Sequence, residues 1–489
     1  VLVWGISALS HDASLAVVSD GEVVFAGHSE RYSRIKNDPL LHSDLIAEAL
    51  SHGRPQAISW YERPYLKKLR HATAGQWKDA LTKEDAPRRY LRSLGLPFRL
   101  PAVSFAKHHE SHAMAGVATS GFSDAAVIVA DAIGEFDTFT ISKYTARDGL
   151  DVLFRRRYPH SLGLLYSAFT RRCGFRPNED EYITMGMAAF GSPRYTDQLK
   201  AEWIAIGEPG FRLRANVHRG IGDWLPEALP EDLAASVQAV TEEVLLGAAR
   251  WARRETGSRN LVLMGGVALN CVANSRICAT GDFDHVWIFP NPGDAGSSLG
   301  AIAATTRQPV KWSGPYLGTE IQRTLDPREI VEELKANGVL AVANGRAEFG
   351  PRALGNRSIL ADPRTRRMKD RVNEVKGREK FRPFAPVIRE ERAADFFEMP
   401  IPATPYMQFT ARCKEPGKFP AIVHTDGTSR VQTVTREQHP LLYRVLNEWE
   451  LETGCPMLLN TSLNSRGEPL VNSWEHALAF GRREGIKVL

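Results

Sequence analysis

The chain has 489 residues, 43% of them hydrophobic and 24% charged, with a formal net charge of +5. This length holds two or three domains with sizeable cores, and the near-balance of charge suits small anionic ligands and argues against a nucleic-acid binder. Cys173, Cys271, Cys278, Cys413 and Cys455 are scattered without a CxxC pair, which excludes a disulfide framework or a zinc ribbon, and no apolar run is long enough to span a membrane. A cytoplasmic protein without a secretory leader is expected.

In chain order, residues 2–6 read as a strand and Ser10-His11-Asp12-Ala13-Ser14 as a polar turn. Residues 14–18 and 23–26 form a hairpin joined by Asp20-Gly21. A short helix is expected over 41–50, and a basic helical stretch over 66–94 carries Lys67, Lys68, Arg70, Lys78, Arg88, Arg89 and Arg92. A second apolar strand, 125–130, ends at Asp131, and a second hairpin follows over 139–142 and 150–154. Two copies of strand, polar turn and hairpin predict a duplicated α/β fold of the ribonuclease-H-like, actin-type kind. An unrelated α/β domain with common hairpins is the alternative.

Between the copies lies Lys107-His108-His109-Glu110-Ser111-His112, at the start of a helix that follows strand 102–105. His108 and His112 are four apart and share a helical face, a ligand geometry suited to a borderline-soft metal. Asp131 stands at the carboxyl end of its strand, where an open α/β sheet faces its ligand, and can add a hard oxygen. Residues 161–191, rich in Gly, Tyr and acidic residues, read as a substrate-facing loop leading into a helix. An amphipathic helix covers 233–251. Strand 261–264 runs into Gly265-Gly266-Val267-Ala268-Leu269-Asn270, where paired glycines permit close backbone approach to a phosphate or nucleoside. Strand 286–289 precedes Asn291-Pro292-Gly293-Asp294, a Gly-rich turn that feeds a helix over 295–304 and is a natural place for a fourth ligand. Two His and two Asp make an N2O2 set that fits iron(II), manganese or zinc.

Residues 307–318 are polar, rich in Pro and Gly and without periodicity, and mark a domain boundary. Asp326 caps the next helix, with Pro327 at its first position, and strand 339–342 follows. The run from Glu348 to Ser358 and the basic residues from Arg364 to Arg382 set arginines among glycines and hydroxyls, a pattern that matches phosphate recognition. Strand 456–459 leads to a polar end-of-strand loop, Asn460-Thr461-Ser462-Leu463-Asn464. Helices are expected over 441–449 and 474–480.

Taken together, His11-Asp12-Ala13-Ser14, His108-x3-His112, Asp131, the Ser161-to-Tyr166 block, Gly265-to-Asn270, Asn291-to-Asp294, the Glu348-to-Ser358 run, the Phe381-to-Pro386 block and Leu459-to-Ser462 resemble the O-carbamoyltransferases of the NodU/CmcH type, in order and over nearly the whole chain. The resemblance implies an α/β architecture in two parts. Residues 1–308 would form a two-lobed actin/ribonuclease-H-like (ASKHA) domain similar to the tRNA threonylcarbamoyladenosine transferase. Residues 309–489 would form a YrdC/Sua-like α/β domain.

The implied activity converts carbamoyl phosphate and ATP to carbamoyl-adenylate and transfers the carbamoyl group to a hydroxyl of a small molecule, in antibiotic or other secondary-metabolite biosynthesis. By motif position, His108, His112, Asp131 and Asp294 would hold a divalent metal, iron(II) first, with manganese or zinc as alternatives. Magnesium would accompany ATP. Gly265, Gly266 and Asn270 would contact the nucleotide. Arg352, Lys376, Arg430 and Ser462 would line the carbamoyl phosphate and ATP site, and His11 would be the essential residue near the acceptor. The partners implied are these small molecules, with no nucleic acid and no membrane; a homodimer is left open. The alternative is a tRNA threonylcarbamoyladenosine-type modification enzyme, against which the fused second domain argues. One departure is Ile183, where family members often carry Lys in a Tyr-Lys-x-Met-Gly block.

Overall fold

The two apolar-strand repeats fold into two sheets of the same design. In the first, β1 (Leu2–Ser7), β2 (Ser14–Ser19) and β3 (Glu22–His28) form an antiparallel meander, and β4 (Ala57–Trp60) and β5 (Ala102–Phe105) add in parallel on the other side of β1. In the second, β6 (Asp124–Ala130), β7 (Asp137–Thr145) and β8 (Gly149–Arg157) form the meander. A separate hairpin, β9 (Ile204–Gly207) with β10 (Gly210–Leu213), lies outside both sheets. Then β11 (Asn260–Met264) and β12 (His285–Ile288) complete the second sheet in parallel with β6. The sheet orders are β3-β2-β1-β4-β5 and β8-β7-β6-β11-β12. In each, only the middle strand of the meander opposes the rest, which is the ribonuclease-H-like arrangement and its duplication.

The computed structural model describes residues 1–73 and 86–489. The expected basic stretch over 66–94 therefore appears as helices Pro64–Thr73 and Pro87–Ser93, and Lys78 lies outside the described residues. Contacts divide the chain into two units, Val1–Ser33 with Asn37–Ser313, and Arg34–Lys36 with Gly314–Leu489. The boundary stretch is less free than its composition implies. Lys311 N donates to Gly21 O at 2.7 Å and Val23 N donates to Lys311 O at 3.1 Å, so the chain continues along β3 before leaving the first unit.

Within the first unit, helix His108–Ser120 packs on the second sheet and helix Ser297–Thr306 on the first. The two helices touch backbone to backbone. A Cβ on Gly300 would fall 1.7 Å from Ser111 O, and one on Gly5 of β1 would fall 1.9 Å from Ser298 O. Helix Pro230–Thr256 buries Leu233, Val237, Val240, Val244 and Ala248 along one stripe, as its periodicity predicts.

Two expectations are corrected. Residues 161–191 are mostly helical, with helices Leu162–Arg172 and Glu181–Met187. The first is buried on every side, so it shows no amphipathic stripe, and Ser161 caps it by accepting from Leu164 N. The strand expected over 456–459 runs on as Met457–Ser462, because Asn460 is an interior residue whose amide donates to Gln432 Oε1 at 2.6 Å.

The second unit is built on a five-stranded sheet of Val339–Ala343, Arg357–Ala361, Met457–Ser462, Ala385–Arg389 and Gln432–Val434, in that order. All neighbours are antiparallel except Ala385–Arg389 with Gln432–Val434. Helix Pro327–Asn337 starts as expected, with Asp326 accepting from Arg328 N. Among the described residues all five cysteines are free thiols, and no helix is long and apolar enough to cross a membrane.

Candidate active site

Every group in the first cluster comes from a strand end or a helix start. His108 is the first residue of its helix and His112 lies one turn on; both are buried. Asp131 follows the last residue of β6, and Asp294 opens the short 3-10 turn Asp294–Gly296 ahead of helix Ser297–Thr306. One ligand atom from each of these four residues lies within 4.8 Å of all the others. The Nε2 atoms of His108 and His112 are 3.1 Å apart. Asp131 Oδ2 is 3.2 Å from His108 Nε2, and Asp294 Oδ1 is 3.2 Å from His112 Nε2.

The surrounding groups aim those nitrogens. His112 Nδ1 lies 3.1 Å from Pro292 O and 3.1 Å from Ser297 Oγ. A carbonyl only accepts, so the proton sits on Nδ1 and the Nε2 lone pair faces the cluster. His108 Nδ1 faces Glu62 Oε2 at 3.7 Å, and Glu62 is held by Lys67 Nζ at 2.7 Å. Asp131 Oδ1 accepts from Gly266 N at 3.1 Å. These are the outer contacts that orient metal-binding imidazole and carboxylate.

Two bare imidazole lone pairs repel at this spacing, so a proton or a cation must lie between them. Burial opposes a charged ring, but the Asp294, Asp131 and Glu62 carboxylates hold the His108 imidazole well above its ordinary pKa. Burial also opposes ionisation of Asp131, yet hydrogen bonds from His108 and His112 hold it well below the usual carboxylate range. A divalent cation satisfies the same four atoms with the softness this N2O2 set requires, so the residues fit a metal. His109 is not part of the set. Its Nδ1 meets Thr140 Oγ1 at 3.0 Å, and burial together with the charges of His108 and His112 pushes it well below the usual imidazole range.

Other expected site residues are placed as follows. His11 is exposed, in the turn between β1 and β2. That turn is tied to the cluster's outer residues, since Lys67 Nζ donates to Leu9 O at 3.0 Å as well as to Glu62. Gly265 has φ +87, and a Cβ there would fall 2.2 Å from Ala130 O, so its glycine serves the close approach to the end of β6. Gly266 is exposed and spends its amide on Asp131. Asn270 faces inward: it exchanges hydrogen bonds with Gln238 at 2.9 and 3.1 Å and caps helix Cys271–Ala279 by accepting from Ala273 N. Ile183, at the position of the departure, is 1% exposed and packs in the core.

In the second unit, Lys376 and Ser462 come together. Lys376 is buried at the end of helix Arg366–Lys376, and its Nζ donates to Ser462 O, to Asn464 O at 2.8 Å and to Asn464 Oδ1 at 3.0 Å, with Ser462 Oγ at 3.2 Å. Burial, with Arg378 and Arg382 nearby, pushes this amine well below the ordinary lysine value. Arg352 and Arg430 are half-buried, in the turn before strand Arg357–Ala361 and directly after strand Thr428–Ser429. Arg357, in the same motif as Arg352, is fully buried and gives its guanidinium to the carbonyls of Asn472, Asn344, Gly345, Asn356 and Thr319, a scaffold role.

Sequence reading missed Glu62 and the parts played by Lys67, named only within the basic stretch, and by Ser297. Glu62 had a signal: it stands just past the carboxyl end of β4, as Asp131 does past β6.

The first unit is thus a duplicated α/β protein in which two buried histidines and two partly buried aspartates converge from strand ends and helix starts. The carbamoyltransferase N-terminus family model matches residues 59–303 and the carbamoyltransferase C-terminus model matches residues 331–489. Relatives include protein sll1178 of Synechocystis, 34% identical over 97% of this chain and 93% of its own, and nodulation protein NolNO of Sinorhizobium fredii, 33% identical over 95% and 75%. Nodulation protein NolO of Bradyrhizobium diazoefficiens is 37% identical over 76% of this chain and 75% of its own. The chain belongs to the carbamoyltransferase family and is a carbamoyltransferase enzyme. Among solved structures, component A of the Acidaminococcus fermentans (R)-2-hydroxyglutaryl-CoA dehydratase aligns at TM-score 0.35 and 13% identity, over 63% of this chain and 98% of that one. Full-length HypF in its phosphate- and nucleotide-bound form aligns at TM-score 0.36 and 13% identity, over 63% and 55%. These likenesses are too loose to bear on function.

Proposed function

We propose that this carbamoyltransferase is ATP-dependent and works in two stages, with carbamoyl-adenylate as the intermediate and the hydroxyl of a small molecule as acceptor. The observation that carries the reading is the convergence of His108, His112, Asp131 and Asp294 in the unit matched by the N-terminal family model. Support comes from the buried Lys376–Ser462–Asn464 cluster in the unit matched by the C-terminal one.

In the first stage, assigned to residues 309–489 as a YrdC-like domain, water cleaves carbamoyl phosphate to carbamate and phosphate. A carbamate oxygen then attacks the α-phosphorus of ATP and pyrophosphate leaves. Arg352 and Arg430 bind the phosphate oxygens, and Lys376 and Ser462 shape the wall beside them. Dense negative charge needs such cationic clamps. In the second stage, assigned to residues 1–308 as an ASKHA-type domain, the acceptor oxygen attacks the carbamoyl carbon. A new C–O bond forms, the bond to the adenylate phosphate breaks, and AMP leaves. His11 takes the hydroxyl proton, a task open to an exposed imidazole beside the acceptor. A divalent metal, iron(II) or else manganese or zinc, held by His108, His112, Asp131 and Asp294, supplies Lewis-acid polarisation when bound. The backbone at Gly265 and Gly266 faces the nucleotide. Magnesium accompanies ATP, and the acceptor belongs to antibiotic or other secondary metabolism.

The test is incubation with carbamoyl phosphate, ATP and a panel of hydroxylated metabolites, read by pyrophosphate release and by mass spectrometry for one added carbamoyl group. Neither product forming with any donor or acceptor overturns the two-stage reading. His11→Ala is expected to keep pyrophosphate release and lose transfer; normal transfer removes His11 from the chemistry.

A further inference from the structure

His28 ends β3 with a side chain only 4% exposed, and it belongs to neither cluster described above. Its Nε2 lies 3.0 Å from Asn291 Nδ2, and its Nδ1 lies 3.2 Å from Asp12 Oδ1. The amide nitrogen of Asn291 only donates, so Nε2 accepts and Nδ1 carries its proton toward Asp12. The ring is a strut of fixed length and fixed polarity between two turns that are 279 residues apart, from Asp12 to Asn291.

Both turns are built to need holding. Asp12 has φ +55, a left-handed backbone that a non-glycine residue adopts at a cost. Its neighbours are anchored already: Ala13 N donates to Asp38 O at 2.7 Å, and Ser14 Oγ donates to Ala295 O at 2.6 Å. On the other side, Asn291 is 3% exposed and opens the segment that ends in Asp294. Its carbonyl is packed so closely that a Cβ on Gly296 would fall 1.8 Å away. The next carbonyl, Pro292 O, accepts from Gly265 N at 2.9 Å and faces His112 Nδ1 at 3.1 Å. Asn291 therefore stands one peptide away from the group that sets the His112 tautomer, and three residues from the Asp294 carboxylate.

We propose that His28 is a positioning residue for the donor set. It holds Asn291, with Asp12 setting the tautomer of the ring, and so fixes where the Pro292 carbonyl and the Asp294 carboxylate stand. The proposal rests on reading His108, His112, Asp131 and Asp294 as metal ligands. His28 acts on them through Asn291. Loss of an outer partner of this kind lowers metal affinity by about 10-fold to 100-fold.

The experiment uses the full chain and Co(II) alone, titrated and followed by its d–d absorption bands. Two variants separate the halves of the strut. His28→Gln places an amide oxygen near the Nε2 position and keeps the bond from Asn291. His28→Asn places an amide nitrogen near the Nδ1 position and keeps only the bond to Asp12. Expected are parental affinity and bands for His28→Gln, and affinity about 10-fold weaker with altered bands for His28→Asn and His28→Leu. Parental affinity and bands in His28→Asn overturn the proposal. If His28→Leu does not fold, the Gln and Asn pair decides alone. Failure of the parent protein to bind Co(II) overturns the metal reading itself, an outcome distinct from binding that His28 does not affect.

Discussion

The two halves of the first unit share one strand order and one pattern of parallel and antiparallel pairing, yet they carry different chemistry at equivalent places. The helix that follows the last strand of the first sheet brings two imidazoles, His108 and His112. The corresponding helix after the second sheet is led by a carboxylate, Asp294. The first strand of the second sheet ends in Asp131, whereas β1 ends in the buried Ser7 and an exposed turn that carries His11. Duplication placed two helix starts face to face, and divergence of the side chains there made a mixed nitrogen and oxygen set that neither half holds alone. The backbone contact at Gly300 is what lets those helices approach so closely, and Gly5 seats the second of them on β1.

The largest effect expected from breaking this division of labour comes from Asp294→Asn or His112→Ala. Each removes a ligand from one half and should lower carbamoyl transfer by about 1,000-fold, equivalent to several kcal/mol of lost charge stabilisation. Pyrophosphate release from ATP and carbamoyl phosphate should persist if, as proposed, it belongs to the other unit; its parallel loss would refute the separation of stages. Lys376→Ala is the converse case. It should lower pyrophosphate release by about 100-fold while leaving the metal content of the protein unchanged. Unchanged release would remove Lys376 from the first stage.

A pH experiment singles out the second unit. His439 in the second unit lies 2.9 Å from Asn356 Oδ1 and accepts from Leu442 N, and burial pushes its pKa down to about 4. The unfolded chain protonates this group near pH 6.5, so folding is unaffected above that value and is opposed increasingly as the pH falls from 6.5 toward 4. About 3 kcal/mol of stability should be lost across this window, and His439→Gln should remove that slope from urea unfolding measured at each pH. The smallest effect is expected at Glu62, which faces His108 only through Nδ1. Glu62→Gln should weaken metal binding by about 10-fold, read by competition with a chelator, and no change would mean that the contact at 3.7 Å does not orient the ring.

The convergence of these four residues was legible in local rules: one helical turn between the histidines, Asp131 directly after its strand, and Asp294 in a Gly-rich turn that feeds a helix. Glu62 stands two residues past the strand Ala57–Trp60, a strand not identified from the sequence, so the strand-end rule has nothing to act on there. Helix Leu162–Arg172 was read as loop because it is enclosed on all sides, and an enclosed helix has no polar face to set a period. Strand Met457–Ser462 was cut short for the opposite reason: Asn460 is polar, and its interior partners Gln432 and Ala353 are far away in the chain.

Sequence alone thus determined the strands and helices that carry His108, His112 and Asp131, the turn that carries Asp294, and through its ordered motifs the family. Those properties depend on neighbours a few residues apart and on spacing along one element. Only the tertiary structure decided that Gly266 gives its amide to Asp131, that Pro292 and Ser297 set the tautomer of His112, that Ser462 and Asn464 enclose Lys376, and that His28 spans Asp12 and Asn291. Each of these is a hydrogen bond between residues brought together by sheet order and helix packing. Its partner is fixed by distance and direction in space, and neither quantity is written in the local pattern of the chain.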